Sequence, residues 1–356
     1  MSAAWELPEL RQCHPLPSAP RPIVIIGTGG IVNDAHLPAY RKAGFAVSGL
    51  FDVDADKARA TAERWGIGRV YGSLDEAAAV AGCVFDVAAP PVAHLGILAA
   101  LAPGAVVLVQ KPLGLDLAQA TAIRALCRQR RLTAAVNFQL RFAPMMYAAA
   151  DALARGLLGS LLDLEVHLSL MTPWEQFAHL IPNPRVEIVS HSIHYLDTIR
   201  ALAGEPRGVL ARTYHYPGSP LTQTRTSAIL DYGTERRVTL SINHHHDFGR
   251  RFQDATIRIE GERAAALVKL GLLLDYPRGE PDELWIAPRG GPWRSVPLHG
   301  GWFPDAFIGT MSNLQRFASG EDEVLHTSVD DAWRTMALVE ACYRSNDSPG
   351  TAIPQP

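Results

Sequence analysis

The chain has 356 residues, of which 47% are hydrophobic and 19% charged, and its formal net charge is −3 at pH 7. This composition is typical of a folded protein with room for two domains, and it excludes an intrinsically disordered chain. The balanced charge, without a basic stripe, argues against a nucleic-acid partner, and no apolar run is long enough to predict a membrane span.

The first segment of the chain, residues 1–21, is rich in proline and has no periodicity. We expect an extended arm that either packs on a neighbouring subunit or is disordered. The four cysteines, Cys13, Cys83, Cys127 and Cys342, are widely spaced and form no CxxC pair. Together with the lack of a signal-peptide pattern, this favours reduced thiols and a cytoplasmic protein.

A dinucleotide-binding pattern follows the arm. The apolar run Pro22–Ile26 predicts a buried parallel strand, and a glycine-rich turn comes directly after it. The residues of this turn are Gly27, Thr28, Gly29, Gly30 and Ile31. Such a turn lets the backbone approach a pyrophosphate, and Asp52, after the apolar run Ala46–Phe51, is placed to bind an adenosine ribose. Because a carboxylate repels the 2′-phosphate of NADP, NAD is the predicted cofactor and NADP the alternative.

The pattern departs from the usual one at its third glycine position, which holds Val32. A larger side chain there predicts a small shift of the first helix. The alternative interpretation of the glycines is an ordinary strand-to-helix turn without a ligand. The order of strand, turn, helix, strand and acid favours the dinucleotide site.

Apolar runs alternate with amphipathic helical segments as far as Val136. This alternation predicts an α/β fold class, with a Rossmann domain built on a doubly wound parallel sheet at residues 22–143. The predicted strands are Ile23–Ile26, Ala46–Phe51, Val84–Ala88, Val106–Val109 and Ala134–Val136. The clearest predicted helices are Asp54–Trp65 and Asp116–Arg130.

Beyond Pro144, successive strands are joined by short turns. Residues 144–356 are therefore predicted to form an α+β domain with a large, mostly antiparallel open sheet that helices cover on one face. The predicted strands include Leu164–Leu168, Val209–Tyr216, Ala228–Tyr232, Val238–Asn243, Ala255–Glu260 and Ala264–Lys269. The predicted helices are Met145–Ala154, Val189–Leu202, Ala306–Ala318 and Val329–Tyr343.

Several further motifs follow the glycine turn in a fixed order. They are His36-Leu37-Pro38, Ala89-Pro90-Pro91 with His94, Gln110-Lys111-Pro112, Asn137-Phe138 with Arg141-Phe142 and Pro144, and Ser192-Ile193-His194-Tyr195-Leu196-Asp197. Together with the glycine turn, they resemble the glucose–fructose oxidoreductase/inositol dehydrogenase/rhizopine catabolism (Gfo/Idh/MocA) family over about residues 22 to 345. The resemblance implies hydride transfer between NAD(P) and a sugar or cyclitol carbon, with the nicotinamide in a cleft between two domains. It also implies cofactor contacts from Ala89, Pro90, His94 and Gln110.

Lys111 is the first candidate catalytic residue. It follows the apolar strand Val106–Val109, so it lies at the carboxyl end of a parallel sheet, the edge at which such sheets bind ligands. A lysine in a partly closed site beside a cationic nicotinamide has its ammonium form disfavoured. Its pKa then moves from about 10.4 towards about 7–8, where the amine can serve as acid or base. The alternative is an ordinary surface lysine in a strand-to-helix loop.

A second candidate group lies on one predicted helix. Glu187, His191 and His194 are spaced i, i+4 and i+7, which predicts a polar stripe that faces the cleft. The family usually places an aspartate where this chain has Ser190, so the proton relay is expected to run through Glu187 or His191, or through His194 with Lys111 alone. Asp197 is predicted to orient His194 or to cap local backbone. The alternative is a solvated helix face.

Three single residues and one run of histidines have more than one possible role. Gln110 stands where the family most often has glutamate, so its amide removes a negative charge beside Lys111. Arg141 contacts cofactor or substrate, or pairs with an acid. One or two members of His244-His245-His246, with His245 as the candidate, reach the substrate; a metal site is the less favoured use. Trp302 borders the nicotinamide or packs in the core.

Three functions are compatible with this sequence. The leading prediction is an NAD-dependent dehydrogenase, in which Lys111 and His194 transfer protons, acting on a small carbohydrate-like substrate. The second is a redox-neutral enzyme on the same scaffold, such as a glycosidase, epimerase or oxidoisomerase that keeps its NAD bound. The third is a non-enzymatic NAD-binding regulator, which would not need the proton-transfer pair. An open sheet face suits subunit pairing, so a homodimer or homotetramer is expected.

Overall fold

A computed structural model of the chain describes residues 6–181, 183–276 and 278–354. The chain forms two compact units. The first unit contains the described residues up to Ala152 together with Pro297–Met336, and the second contains Leu153–Val296 and the residues from Ala337 on. The sequence analysis grouped residues 297–336 with the C-terminal half. The structure places them in the first unit, because a late helix packs against the parallel sheet.

The first unit is built on a parallel sheet of five strands in the order β2-β1-β3-β4-β5. The strands are β1 (Ile23–Ile26), β2 (Val47–Phe51), β3 (Val84–Val87), β4 (Val106–Val109) and β5 (Thr133–Val136). Every residue of β1, β3 and β4 is buried, as a sheet covered on both faces requires. The predicted Rossmann sheet and its strands are confirmed.

Helices connect and cover these strands. They are α1 (Leu37–Ala43), α2 (Ala55–Trp65), α3 (Leu74–Ala78), α4 (His94–Ala100), α5 (Leu117–Gln129) and α6 (Pro144–Ala154). The predicted starts of α2 and α5 are confirmed, because the side chains of Asp54 and Asp116 accept hydrogen bonds from the first-turn amides. The sequence analysis expected helical segments between the strands but gave no bounds for α1, α3 or α4.

The first helix begins with a π-helical turn, Val32–His36, before it continues as α1. Val32, which replaces the third glycine of the pattern, is fully buried. A π-helical turn is wider than an α-helical one, so it moves the start of the helix. Val32, the position from which a shift of this helix is predicted, is the first residue of this π-helical turn.

The second unit carries a sheet of eight strands in the order β13-β12-β11-β10-β6-β9-β8-β7. The strands are β6 (Leu161–Ser169), β7 (Gly208–Tyr214), β8 (Arg225–Asp231), β9 (Arg237–Asn243), β10 (Asp254–Gly261), β11 (Ala264–Lys269), β12 (Glu283–Pro288) and β13 (Arg294–Ser295). Among the described strands of this second sheet, only β6 and β9 pair in parallel. Alternate residues are buried, so one face is covered and the predicted mostly antiparallel open sheet is confirmed.

Three further α-helices follow in the described chain. They are α7 (Ile193–Ala203), α8 (Asp305–Ser319) and α9 (Val329–Asp347). A π-helical turn, Ile188–Ser192, precedes α7, and α7 packs against β6. Within the described residues, no helix is both long and apolar enough to span a membrane.

The described part of the N-terminal arm packs on its own unit. Residues 6–21 form no helix or strand, yet Leu10 and His14 are buried. The guanidinium of Arg11 donates to Asp151 at 2.7 Å, and His14 lies 2.6 Å from a carboxylate oxygen of Asp322. The expectation of disorder is therefore wrong for residues 6–21, because polar side chains of the arm bind the buried Asp151 and the partly buried Asp322.

Candidate active site

The glycine turn lies at the carboxyl end of β1, and its backbone demands glycine at one position. Gly27 has a φ of +99°, and a Cβ placed on it would come within 2.8 Å of the Ala88 carbonyl group. Gly29 is different, because a Cβ there would meet nothing within 4 Å. The turn is thus closed on its strand side and open at Gly29, as a cradle for a pyrophosphate requires.

Asp52 holds the turn from the end of β2. One carboxylate oxygen accepts hydrogen bonds from the backbone amide of Thr28 at 2.6 Å and from its hydroxyl at 2.9 Å. The other oxygen accepts from the amide of Asp54 at 2.9 Å. The acid therefore stands beside the glycine turn, where the sequence predicts it to meet an adenosine ribose. These residues fit a bound NAD.

The segment after β3 contains Ala89, Pro90 and His94. A short 3-10 turn, Pro91–Ala93, leads into α4, and His94 is fully buried at the start of that helix. Its Nε2 lies 3.0 Å from the carbonyl oxygen of Ala89, and burial lowers the pKa of His94 to about 4. His94 is therefore neutral at pH 7 and braces the loop that carries the predicted cofactor contacts.

Lys111 lies directly beyond β4 and Gln110, at the carboxyl edge of the parallel sheet. Burial lowers the pKa of Lys111 to about 8. Desolvation disfavours the ammonium, so about a tenth of this amine is neutral at pH 7, far more than for a solvated lysine. The Lys111–Pro112 peptide bond is cis.

The amide oxygen and the amide nitrogen of the Gln110 side chain each have a hydrogen-bonding partner within the protein. Its Oε1 accepts a hydrogen bond from the backbone amide of Lys111 at 2.8 Å, and its Nε2 lies 3.3 Å from Nε2 of His36. The predicted contact with a cofactor ribose would have to use the remaining donor or lone pair of the same amide.

In the second unit, Glu187 is fully buried. Its carboxylate accepts hydrogen bonds from the hydroxyls of Ser192, at 2.6 Å, and Thr226, and Nε2 of His244 lies 3.5 Å away. Glu187 is therefore enclosed by protein groups, and its part in a proton relay with His191 or His194 stays a prediction. The π-helical turn changes the spacing, so the i, i+4, i+7 rule for an α-helix does not apply.

The histidines of this unit form an aromatic cluster with Trp174. The ring of His191 lies 5.3 Å from Trp174 and 4.9 Å from His244. His245 stacks on Tyr216 at 4.2 Å with nearly parallel rings, and burial is the main cause that lowers its pKa to about 4. Glu187, His191 and His244 are thus neighbours.

The remaining candidates of this helix are more enclosed than predicted. His194 is buried, and its carbonyl oxygen accepts from the Thr198 hydroxyl at 2.8 Å. Asp197 is buried as well, 3.9 Å from the guanidinium of Arg200. Ser190 is partly exposed at the π-helical turn.

Two candidates of the first unit have structural partners. The guanidinium of Arg141 donates to Asp331 at 2.6 Å and to the carbonyl oxygen of His326 at 3.0 Å, so the acid-pair interpretation describes its observed contacts. Trp302 is 3% exposed and packs edge-on against Phe303, as the core interpretation predicts.

Among the residues that the structure describes, no group of three or more His, Cys, Asp or Glu side chains is placed to hold a metal.

Sequence reasoning missed one part of the first unit. Asp86 lies in the middle of β3, fully buried, and one of its oxygens lies 2.7 Å from Nδ1 of His36 and accepts from the hydroxyl of Tyr40 at 2.8 Å. The available signal was an acid inside an otherwise apolar strand, because a buried carboxylate requires hydrogen-bonding partners.

Comparison with known proteins agrees with this architecture. Residues 21–138 match the model of an oxidoreductase family with an NAD-binding Rossmann fold. D-apiose dehydrogenase of Paraburkholderia graminis is 27% identical over 333 residues, which cover 89% of this chain and 85% of that protein.

Two solved structures share the fold. An oxidoreductase from Agrobacterium radiobacter, in complex with NAD+, L-tartaric acid and magnesium, has a TM-score of 0.76 and 20% identity, over 92% of this chain and 97% of that one. Levoglucosan dehydrogenase, in complex with NADH and levoglucosan, has a TM-score of 0.75 and 18% identity, over 91% of this chain and 96% of that one.

Proposed function

We propose that the chain belongs to the Gfo/Idh/MocA family of NAD-dependent oxidoreductases and transfers a hydride between nicotinamide and a hydroxyl-bearing carbon of a sugar, sugar acid or cyclitol. The observation that carries this proposal is Lys111, whose pKa burial lowers to about 8 at the carboxyl edge of the parallel sheet. An amine that exchanges protons near neutral pH is what alcohol oxidation needs beside a hydride acceptor.

Each group has a defined task in this proposal. Bound NAD supplies the hydride acceptor. The glycine turn binds its pyrophosphate, and Asp52 binds the adenosine ribose and selects NAD over NADP. Lys111 removes the hydroxyl proton as the hydride leaves, and His194 orients the same hydroxyl or shares its proton.

The substrate class rests on the relatives and on the polar side chains of the second unit. D-apiose and levoglucosan, named for two of the relatives, are sugars. His191 and His245 offer ring nitrogens that donate to or accept from hydroxyl groups. A small polyhydroxylated molecule matches such donors and acceptors.

The assembly expected for this function is a homodimer or homotetramer. The uncovered face of the eight-stranded sheet exposes Leu210 by 70% and Ile229 by 55%, and these two residues are cross-strand partners. Exposed apolar side chains on a sheet face favour pairing with a second copy. Sedimentation velocity would detect the oligomer; a monomer at micromolar concentration would remove this part of the proposal.

An absorbance screen at about 340 nm, the band of reduced nicotinamide, tests the proposed reaction. Purified protein is mixed with NAD or NADP and with aldoses, sugar acids, cyclitols and their keto forms. We expect a substrate-dependent rise or fall with NAD. No absorbance change across the panel, with nicotinamide co-purifying and product formed without net NADH, would instead support the redox-neutral alternative. Ser190, which stands in place of the family's aspartate, leaves room for this alternative.

A further inference from the structure

A continuous chain of hydrogen bonds runs beneath Lys111 inside the first unit. It starts at Asp86 on β3, passes through His36 and Gln110, and ends at the backbone amide of Lys111. Asp86 and His36 are both fully buried, and His36 also packs against the ring of Phe307 at 4.9 Å. The mechanism described above makes no use of this chain.

The two amides that face His36 have fixed orientations. Gln110 uses its oxygen for the Lys111 amide, so its NH2 group points to Nε2 of His36 at 3.3 Å. Asn137 accepts the Thr310 hydroxyl at 2.9 Å with its oxygen, so its NH2 group also points to Nε2, at 3.4 Å. An imidazole nitrogen that meets two donors must be an acceptor.

The proton of His36 therefore lies on the other ring nitrogen. Nδ1–H then donates to Asp86 at 2.7 Å. The same Asp86 oxygen accepts from Tyr40, and burial together with this carboxylate raises the pKa of the Tyr40 hydroxyl, which keeps it a donor. Every hydrogen bond in the chain thus points the same way. The Lys111 amide donates to Gln110, Gln110 donates to His36, and His36 donates to Asp86.

We infer that Asp86, His36 and Gln110 form a buried positioning relay that orients Lys111 for proton transfer. The relay fixes the side chain of Gln110, and Gln110 in turn holds the peptide from which Lys111 extends. Asp86 and His36 are positioning residues, since they act through Gln110. This inference rests on the role proposed for Lys111.

The relay also explains why glutamine suits position 110. A carboxylate there has no donor for Nε2 of His36, so the imidazole would have to take up a second proton or change tautomer. Glutamine at position 110 and the Nδ1-protonated form of His36 are therefore matched to one another in this chain.

Nuclear magnetic resonance of the full chain with NAD tests the relay without any substrate. The sequence has four lysines, Lys42, Lys57, Lys111 and Lys269, so lysine labelled with ¹³C at the ε carbon gives few signals, and Lys111→Arg assigns that of Lys111. Histidine labelled with ¹⁵N reports the protonation of each ring nitrogen, and the signal lost in His36→Gln assigns His36.

Three variants supply the comparison. Asp86→Asn keeps the shape of the side chain but removes the charge at the start of the relay. Tyr40→Phe is the matched control, because it removes the other hydrogen bond to the same Asp86 oxygen and leaves the chain to Lys111 complete. Gln110→Glu removes the donor that faces Nε2 of His36.

We expect wild-type His36 to be neutral with its proton on Nδ1, and Gln110→Glu to abolish that state. Asp86→Asn should move the Lys111 signal, while Tyr40→Phe should leave it in place. With a substrate from the absorbance screen, Asp86→Asn should lower kcat by about tenfold or more, since small misplacements of a catalytic group are costly, with KM for NAD changed less than about twofold.

A proton on Nε2 of wild-type His36, or an unmoved Lys111 signal in a folded Asp86→Asn protein, would overturn the relay. These readouts need no turnover. A silent substrate screen with the expected His36 and Lys111 signals would therefore count against the proposed reaction and not against the relay.

Discussion

The proton transfer proposed for Lys111 depends on the surroundings of its side chain. Loss of solvation on burial is the cause that lowers its pKa to about 8. His94 and His245 undergo the same loss of solvation, which lowers the pKa of each to about 4. At the residue scale, burial thus leaves Lys111 able to exchange a proton near pH 7 and keeps these two histidines neutral.

The rate of alcohol oxidation should depend on pH through Lys111. The active form is the neutral amine, whose population grows as the pH rises through about 8, so kcat/KM should rise with pH and level off above about 8. Carbonyl reduction needs the ammonium and should slow over the same range. Lys269→Ala is the control, because Glu283 and Glu280 raise the pKa of Lys269. A flat wild-type profile between pH 6 and 9 would exclude Lys111 as the base.

Asp52 should decide between the two nicotinamide cofactors. Asp52→Ala removes the carboxylate that repels a 2′-phosphate and that holds Thr28, so KM for NAD should rise and the preference for NAD over NADP should shrink by about tenfold or more. Asp54→Ala is the control, since Asp54 caps α2. Steady-state kinetics with both cofactors measures the ratio; an unaltered ratio would make Asp52 purely structural.

At the scale of elements, the starts and ends of strands and helices follow from local chemistry. Asp54 and Asp116 cap their helices as the sequence predicted, and the run Ile23–Ile26 is a strand with the predicted bounds. Local signals did not reveal the π-helical turns Val32–His36 and Ile188–Ser192, since apolar spacing in sequence does not distinguish a π turn from an α turn.

The full burial of Glu187 was not predicted from the sequence either. The partners of buried polar groups are remote in sequence and cannot be read from periodicity: Thr226 meets Glu187, and His36 meets Asp86. The strands β12 and β13 were also missed, because β13 has only two residues and β12 lies in a segment rich in proline and glycine.

The glycine turn offers a paired test of structure against binding. Gly27→Ala places a Cβ 2.8 Å from the Ala88 carbonyl at a φ of +99°, so it should destabilise the protein by more than about 1 kcal/mol. Gly29→Ala meets open space, so it should leave stability unchanged and weaken NAD binding alone. Urea unfolding and NAD titration separate the two effects. Equal NAD affinity of wild type and Gly29→Ala would show that the cofactor does not approach Gly29.

At the scale of the whole molecule, both compact units use segments distant in sequence. The first unit includes residues 297–336, with helix α8 against the parallel sheet. Sequence reasoning gave the Rossmann domain and the open sheet. It could not assign residues 297–336, because an amphipathic helix does not specify which sheet it covers.

The arm should contribute to the stability of the first unit. His14 is buried between the hydroxyl of Tyr147 at 3.1 Å and the carboxylate of Asp322 at 2.6 Å, and its ring packs edge-on against Phe142. His14→Ala should lower the free energy of unfolding by about 1–3 kcal/mol. Ser18→Ala, on the exposed part of the arm, should change it by less than about 0.5 kcal/mol. Equal urea midpoints for both variants would show that the arm does not stabilise the fold.

The most direct test of the proposed reaction follows one deuterium atom. A substrate from the screen, deuterated at its reacting carbon, is incubated with NAD, and the reduced cofactor is analysed by mass spectrometry. The account predicts one deuterium in the nicotinamide. It also predicts that Lys111→Ala transfers this deuterium about 10²–10⁴ times more slowly while binding NAD with nearly unchanged affinity. Absence of label from the nicotinamide, or an undiminished rate in Lys111→Ala, would contradict hydride transfer with Lys111 as its proton acceptor.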